Sequence, residues 1–184
     1  MSDPLWQPNA EQIRSCQMGQ FMRLINSQHH QHLTTYGELH RWSIKHPQVF
    51  WKLLWDFAEV VASAESEHVL EQERPFYKSR WFPDAKLNFA ENLLRYRDNE
   101  PALVNWNESG KQKTLSYAEL YKQVAQLSAA LKAQGIKPGD RIAGYLPNSP
   151  EAVIAMLAAT SLGAVWSSCS PDFGVPGTLD RFGQ

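Results

Sequence analysis

Apolar positions follow two different rhythms along this chain. From Pro8 to about Tyr96 they recur at the three-to-four-residue spacing of a helix face. Met18, Phe21, Met22 and Ile25 make one such face, and Leu24 widens it. Thr35 followed by Glu38 is a capping-box pattern, in which each side chain satisfies a backbone N–H left open at a helix start. It predicts a helix from about Tyr36 to Lys45, closed by His46. Pro47 fits the first turn of another helix, where its missing N–H costs nothing. Phe50, Leu53, Leu54, Phe57 and Val61 give that helix a broad face, which Trp51 and Trp55 extend almost all round. Pro75, Pro83 and the aromatic residues Phe76, Tyr77, Trp81 and Phe82 predict an irregular connector, pinned by side-chain burial rather than a backbone ladder. Asn88 is placed to cap a short helix ending near Arg95.

Beyond about Asn99 strands and helices alternate. Ala102 to Asn107 and Gln112 to Ser116 read as a hairpin turned at Glu108-Ser109-Gly110. Ser116 with Glu119 is a second capping box, and Leu120, Val124, Leu127 and Leu131 repeat on one helical face until Gly135. Pro138-Gly139-Asp140 turns the chain into a strand from Arg141 to Tyr145. Asn148 or Ser149 caps the next helix, with Pro150 in its first turn, Glu151 at its positive end and Gly163 closing it. A buried strand from Ala164 to Ser167 completes a β-α-β unit, which implies a parallel sheet covered by helices. Val175 to Gln184 reads as the start of one more helix. So few parallel strands would leave unpaired edges, so more chain is expected after Gln184.

Composition narrows the classes. The 184 residues carry a formal net charge of -1 with mixed signs, so no basic footprint for nucleic acid or a membrane surface is present. The longest apolar run, Ala152 to Ala159, is too short to span a bilayer, and Met1 to Trp6 has neither a basic nor an apolar leader character. A cytoplasmic protein is expected. Cys16 and Cys169 are the only cysteines, in a context that suggests neither a disulfide framework nor a metal site.

Two segments carry a resemblance. Ala164 to Gly174, AVWSSCSPDFG, and Trp81 to Leu94, WFPDAKLNFAENLL, together resemble the AMP-forming acyl-CoA synthetases of the adenylate-forming enzymes. The second segment is shared with the acetyl- and propionyl-CoA branches, whereas SSCSPDFG points to the acetoacetyl-CoA synthetase branch. The resemblance implies an α/β fold: a helical N-terminal extension, residues 1–98, followed by the first, incomplete part of a parallel α/β layer, residues 99–184. It also implies acid-thiol ligation, with ATP, Mg²⁺ and CoA as cofactors of the parent enzyme. The partners implied are acetoacetate or another short-chain acid and the remainder of the same polypeptide. The phosphate-cradling loop and its lysine would lie downstream in such enzymes. No catalytic residue and no metal ligand is therefore assigned here, these residues alone are expected to be inactive, and no cofactor is expected to bind them tightly. In related enzymes the segment matching Trp166, Ser167 and Ser168 lies near the adenine and phosphate end of CoA, so these three are the candidate cofactor contacts. Serines stand where the family usually shows glycines, which adds bulk where backbone would approach the ligand.

Other chemistry-bearing residues have simpler readings. Asp172 fits a turn carboxylate, Cys169 a small buried thiol, and His29, His30 and His32 a solvated helix end. Asn88 and Asn92, one helical turn apart, fit hydrogen bonding to a ligand or to neighbouring backbone. Trp81, Phe82 and Phe89 are expected to dock the extension onto the α/β layer. Two alternatives remain: an acetyl- or propionyl-CoA synthetase, and a standalone non-catalytic module that binds a partner or a nucleotide.

Overall fold

Capping residues set the leading helices. In the computed structural model, which describes residues 5–183, Asn9 and Gln12 exchange side-chain bonds with each other's N–H at 2.8 and 2.9 Å and start α1 (Ala10–Ser15). The Cys16 sulfur accepts from Gly19 N–H at 3.4 Å at the head of α2 (Gln17–His29). A Cβ at position 19 would fall on the Ile13 carbonyl oxygen, so only glycine fits under the end of α1. Thr35 and Glu38 form the expected capping box of α3 (Tyr36–Lys45), and Pro47 opens α4 (Pro47–Phe57).

α4 stops short of Val61, contrary to the periodicity. Glu59 adopts the left-handed conformation at φ 51°, Glu59 N–H bonds the Asp56 carbonyl, and Val60 N–H bonds the Trp55 carbonyl. That pattern is a Schellman stop. It uses glutamate in place of glycine, which hid it in the sequence.

Phe21, Met22, Ile25, Leu39 and Trp42 form the core here, flanked by Phe50, Leu53, Leu54 and Phe57 of α4. The Phe21 ring sits 5.6 Å from Phe50 and 5.1 Å from Phe57. Met18, expected on the buried face, stays half exposed because it borders open grooves beside α3.

The connector differs from expectation in two respects. It does contain a backbone ladder: β1 (Leu70–Glu71) pairs antiparallel with β2 (Arg80–Trp81). Only part of its aromatic set is sequestered. Trp81 and Phe82 pack on Trp51 and Trp55 at 5.5 and 4.5 Å, whereas Phe76 and Tyr77 are exposed on a 3₁₀ turn.

A second compact unit comprises Val61–Ser63 and Lys86–Gln184, the first being Met1–Val60 with Ala64–Ala85. Asn88 accepts from Glu91 N–H and starts α5 (Phe89–Leu93). β3 (Pro101–Asn107) and β4 (Gly110–Ser116) form the expected antiparallel hairpin, and Ser116 with Glu119 caps α6 (Tyr117–Ala133). β5 (Arg141–Tyr145), α7 (Pro150–Ser161) and β6 (Val165–Cys169) make the β-α-β unit, with β5 and β6 parallel from Arg141↔Val165 to Tyr145↔Cys169. α8 (Gly174–Phe182) follows a short 3₁₀ turn.

Leu120 and Val124 of α6, Ile154, Leu157 and Ala158 of α7, Leu115 of β4 and Ala90 of α5 form the core of this unit. The architecture is a mixed α/β one with helical elements leading. Among the described residues it has three two-stranded sheets, one of them parallel. No described helix is long and apolar enough to cross a membrane.

Candidate functional site

β5 and β6 end together, and their following loops form one edge. Leu146 N–H donates to the Cys169 carbonyl at 3.3 Å, which carries the pairing one residue past β5. The Tyr145 hydroxyl donates to the Pro171 carbonyl at 2.9 Å and so fastens the loop after β6 to the end of β5. Within that loop the Ser170 hydroxyl donates to the Asp172 carboxylate at 2.7 Å, and Phe173 N–H to the Ser170 carbonyl at 3.2 Å. Gly174 then takes φ 62°, a value side chains strain to adopt, and starts α8. Strand ends of this kind are where open α/β sheets bind ligands.

β6 runs two residues further than predicted, through Cys169. Ser168 therefore joins Trp166 and Ser167 in the strand, and the three pair with Gly144, Ile142 and Ala143 respectively. Because side chains alternate along a strand, Trp166 and Ser168 share one face and Ser167 faces the other. The Trp166 ring covers Gly144: a Cβ there would clash with two carbons of the indole. Ser167 and Ser168 are exposed, and among the described residues β6 has no second neighbour. The segment thus presents one hydroxyl on each face, with the aromatic ring on the face of Ser168.

Electrostatics at the neighbouring loop, after β5, come from the start of α7. Ser149 occupies the cap position without accepting a backbone N–H. Its hydroxyl instead serves Glu151, and together with the residue's own N–H it holds that carboxyl below its ordinary value. A cleft of about 280 Å³ lies between Leu103 to Trp106 of β3 and Asn148 to Pro150, with Val153 at its wall. No local pattern in the sequence announces it, since it joins two distant stretches.

The remaining candidates fall into structural roles. Cys169 is buried, with its thiol 3.8 Å from the Thr178 hydroxyl. Asp172 is held by Ser170. His30 ends α2 in the left-handed conformation, and His29 lies 5.8 Å from the Trp42 ring. Among the described residues no three His, Cys, Asp or Glu side chains group as metal ligands would. Asn88 and Asn92 both bond neighbouring backbone, to Thr160 and to Val61 respectively.

Residues 89–178 match the AMP-binding enzyme family, and residues 36–93 match the acetyl-coenzyme A synthetase N-terminus family. The chain is thus similar to the AMP-binding enzymes over one stretch and to an N-terminal segment of the acetyl-coenzyme A synthetases over another. It is 42% identical over 183 residues to the acetoacetyl-CoA synthetase of Xenopus tropicalis, covering 98% of this chain and 27% of that protein. It is 37% identical to the malonamoyl-CoA synthetase of Penicillium aethiopicum, covering 98% of this chain and 26% of that one. The solved acetoacetyl-CoA synthetase from Streptomyces lividans superposes with a TM-score of 0.88 at 41% identity, over 99% of this chain and 29% of its own. The chain thus spans a little over a quarter of the length of these relatives.

Proposed function

We propose that these residues form part of an acetoacetate-CoA ligase that works through an acyl-adenylate. ATP, with Mg²⁺, activates the acid carboxylate as a mixed anhydride with AMP and releases pyrophosphate. The CoA thiol then attacks the acyl carbon, and AMP leaves. Activation is needed because a carboxylate is a poor electrophile.

The observation that carries this reading is similarity to acetoacetyl-CoA synthetases along 98–99% of the chain. The malonamoyl-CoA relative favours the same substrate class, since malonamate and acetoacetate both carry a carbonyl one methylene away from the reacting carboxylate. Acetate and propionate lack that group.

The role left to the present residues is to bind and shape. The end of β6, with Trp166, Ser167 and Ser168, contacts CoA in this reading, and the catalytic groups come from other parts of the polypeptide. Residues 1–184 alone are then without ligase activity, and act together with the rest of the enzyme.

Sequencing the source reading frame past codon 184 tests the reading. It is supported by a continuing frame that encodes a Ser/Thr/Gly-rich loop ending in lysine. A natural stop at that point favours a standalone module instead.

A further inference from the structure

The motif Leu87-Asn88-Phe89-Ala90-Glu91-Asn92 helped to reveal the family, yet no ligand-binding role falls to its two asparagines. Their bonds point elsewhere. Asn88 Oδ1 accepts from Glu91 N–H at 3.1 Å, which caps α5, while Asn88 Nδ2 donates to the Thr160 carbonyl in the last turn of α7 at 2.9 Å. One helical turn on, Asn92 Oδ1 accepts from Val61 N–H at 2.8 Å and Asn92 Nδ2 donates to the Val61 carbonyl at 2.9 Å. A second donation from Asn92 Nδ2, to the Asn88 carbonyl at 3.0 Å, fixes the amide's orientation.

Val61 to Ser63 is an unusual stretch. Chain contacts assign it to the α/β unit although the residues on both sides of it belong to the helical one. Val61 and Ser63 are exposed, so apolar burial contributes little to holding the stretch in place. Its hydrogen bonds include the two from Asn92 and two from Ser63 to the Lys86 carbonyl, from N–H at 2.7 Å and from the hydroxyl at 3.0 Å. Asparagine suits the grip on Val61 because its amide presents one donor and one acceptor side by side, as a neighbouring strand would. α5 also lies where the two family segments overlap, residues 89–93.

We propose that Asn88 and Asn92 act as a double staple: Asn88 locks α5 to the end of α7, and Asn92 latches the strap Val61–Ser63 to α5. The strap is a small cooperative unit that opens and closes as one piece while the α/β layer stays folded. Such sub-global opening is characteristic of segments held by exposed hydrogen bonds and little apolar burial.

Amide hydrogen exchange on the full chain, read residue by residue, tests this with Asn92→Leu and Asn92→Asp. Val61 loses its acceptor directly in the leucine variant, so the informative amide is Ser63, whose partner Lys86 is untouched. The expected result is Ser63 exchange faster by about tenfold or more in Asn92→Leu, with the amides of β5, β6 and α6 unchanged. Asn92→Asp keeps the acceptor for Val61 N–H and loses the donor, so it should fall between the leucine variant and the parent. It also provides the reading if the leucine variant does not fold. Ser63 protection equal in all three proteins would overturn the latch. Equal acceleration at Ser63 and throughout β5 and β6 would overturn it too, since the strap would then open only with the whole unit.

Discussion

Single positions in β5 and β6 depend on one another. Gly144 has no side chain because the Trp166 indole occupies that space, so the two residues pack as one object. Gly144→Ala forces the ring to move and should cost about 1–3 kcal/mol in urea unfolding, the usual range for overpacking. Trimming the ring in Trp166→Leu should relieve most of that penalty, so the double variant is more stable than the sum of the single effects. Additive losses would mean that the ring does not hold the position assigned to it. Because Trp166 shares its face with Ser168 and not with Ser167, the CoA reading makes a finer distinction. Ser168→Ala should weaken CoA binding by the assembled enzyme more than Ser167→Ala does, as measured by the KM for CoA.

At the level of elements, local chemistry was the most legible part of the sequence. α3, with both of its ends, and the strand Arg141–Tyr145 lie where the cap, the proline and the Pro-Gly-Asp turn put them. Those signals act within four residues, so a single stretch of chain contains the whole cause. Failures occurred where the signal was atypical or remote. Glu59 adopts a conformation that glycine normally marks, and the β1–β2 ladder joins two-residue strands too short to show any alternation.

The capping boxes also predict how helices respond to acid. Glu38 is held down to about 2 from an ordinary 4.5, chiefly by the Thr34 N–H, then by the Thr34 hydroxyl and the Thr35 N–H. Glu119 is lowered in the same way by Ser116, through its N–H and then its hydroxyl. The folded state therefore binds these protons less tightly than the unfolded chain does. The stabilisation is complete above about pH 4.5 and is lost as the pH falls towards about 2. Glu38→Gln should flatten the acid limb of the stability profile in that window, followed by circular dichroism. An unchanged limb would contradict the capping role. Thr35→Ala removes the other half of the same box and should destabilise α3 by about 0.5–2 kcal/mol at neutral pH.

For the whole molecule, the sequence showed the fold class but not the long-range pairings inside the α/β unit. The Asn88 bond to Thr160, the Asn92 bonds to Val61 and the cleft beside Trp106 all join residues far apart in the chain, and no periodicity encodes such pairings. The candidate site was legible only as a stretch. Trp166 to Ser168 could be singled out by resemblance, whereas their place inside β6, with the two serines on opposite faces, required the strand register. Leu157 illustrates the energetic side of the α/β unit: it is almost wholly buried, and Leu157→Ala should cost about 2–5 kcal/mol by thermal or chemical unfolding.

On the function proposed above, catalysis belongs to the assembled ligase. The most direct measurement is acid-dependent AMP formation by the product of the complete source reading frame, supplied with ATP, Mg²⁺ and CoA. AMP and acyl-CoA are expected in equal amounts with acetoacetate, and in much smaller amounts with acetate or propionate. No AMP with any short acid, or a preference for acetate over acetoacetate, would contradict the proposed function.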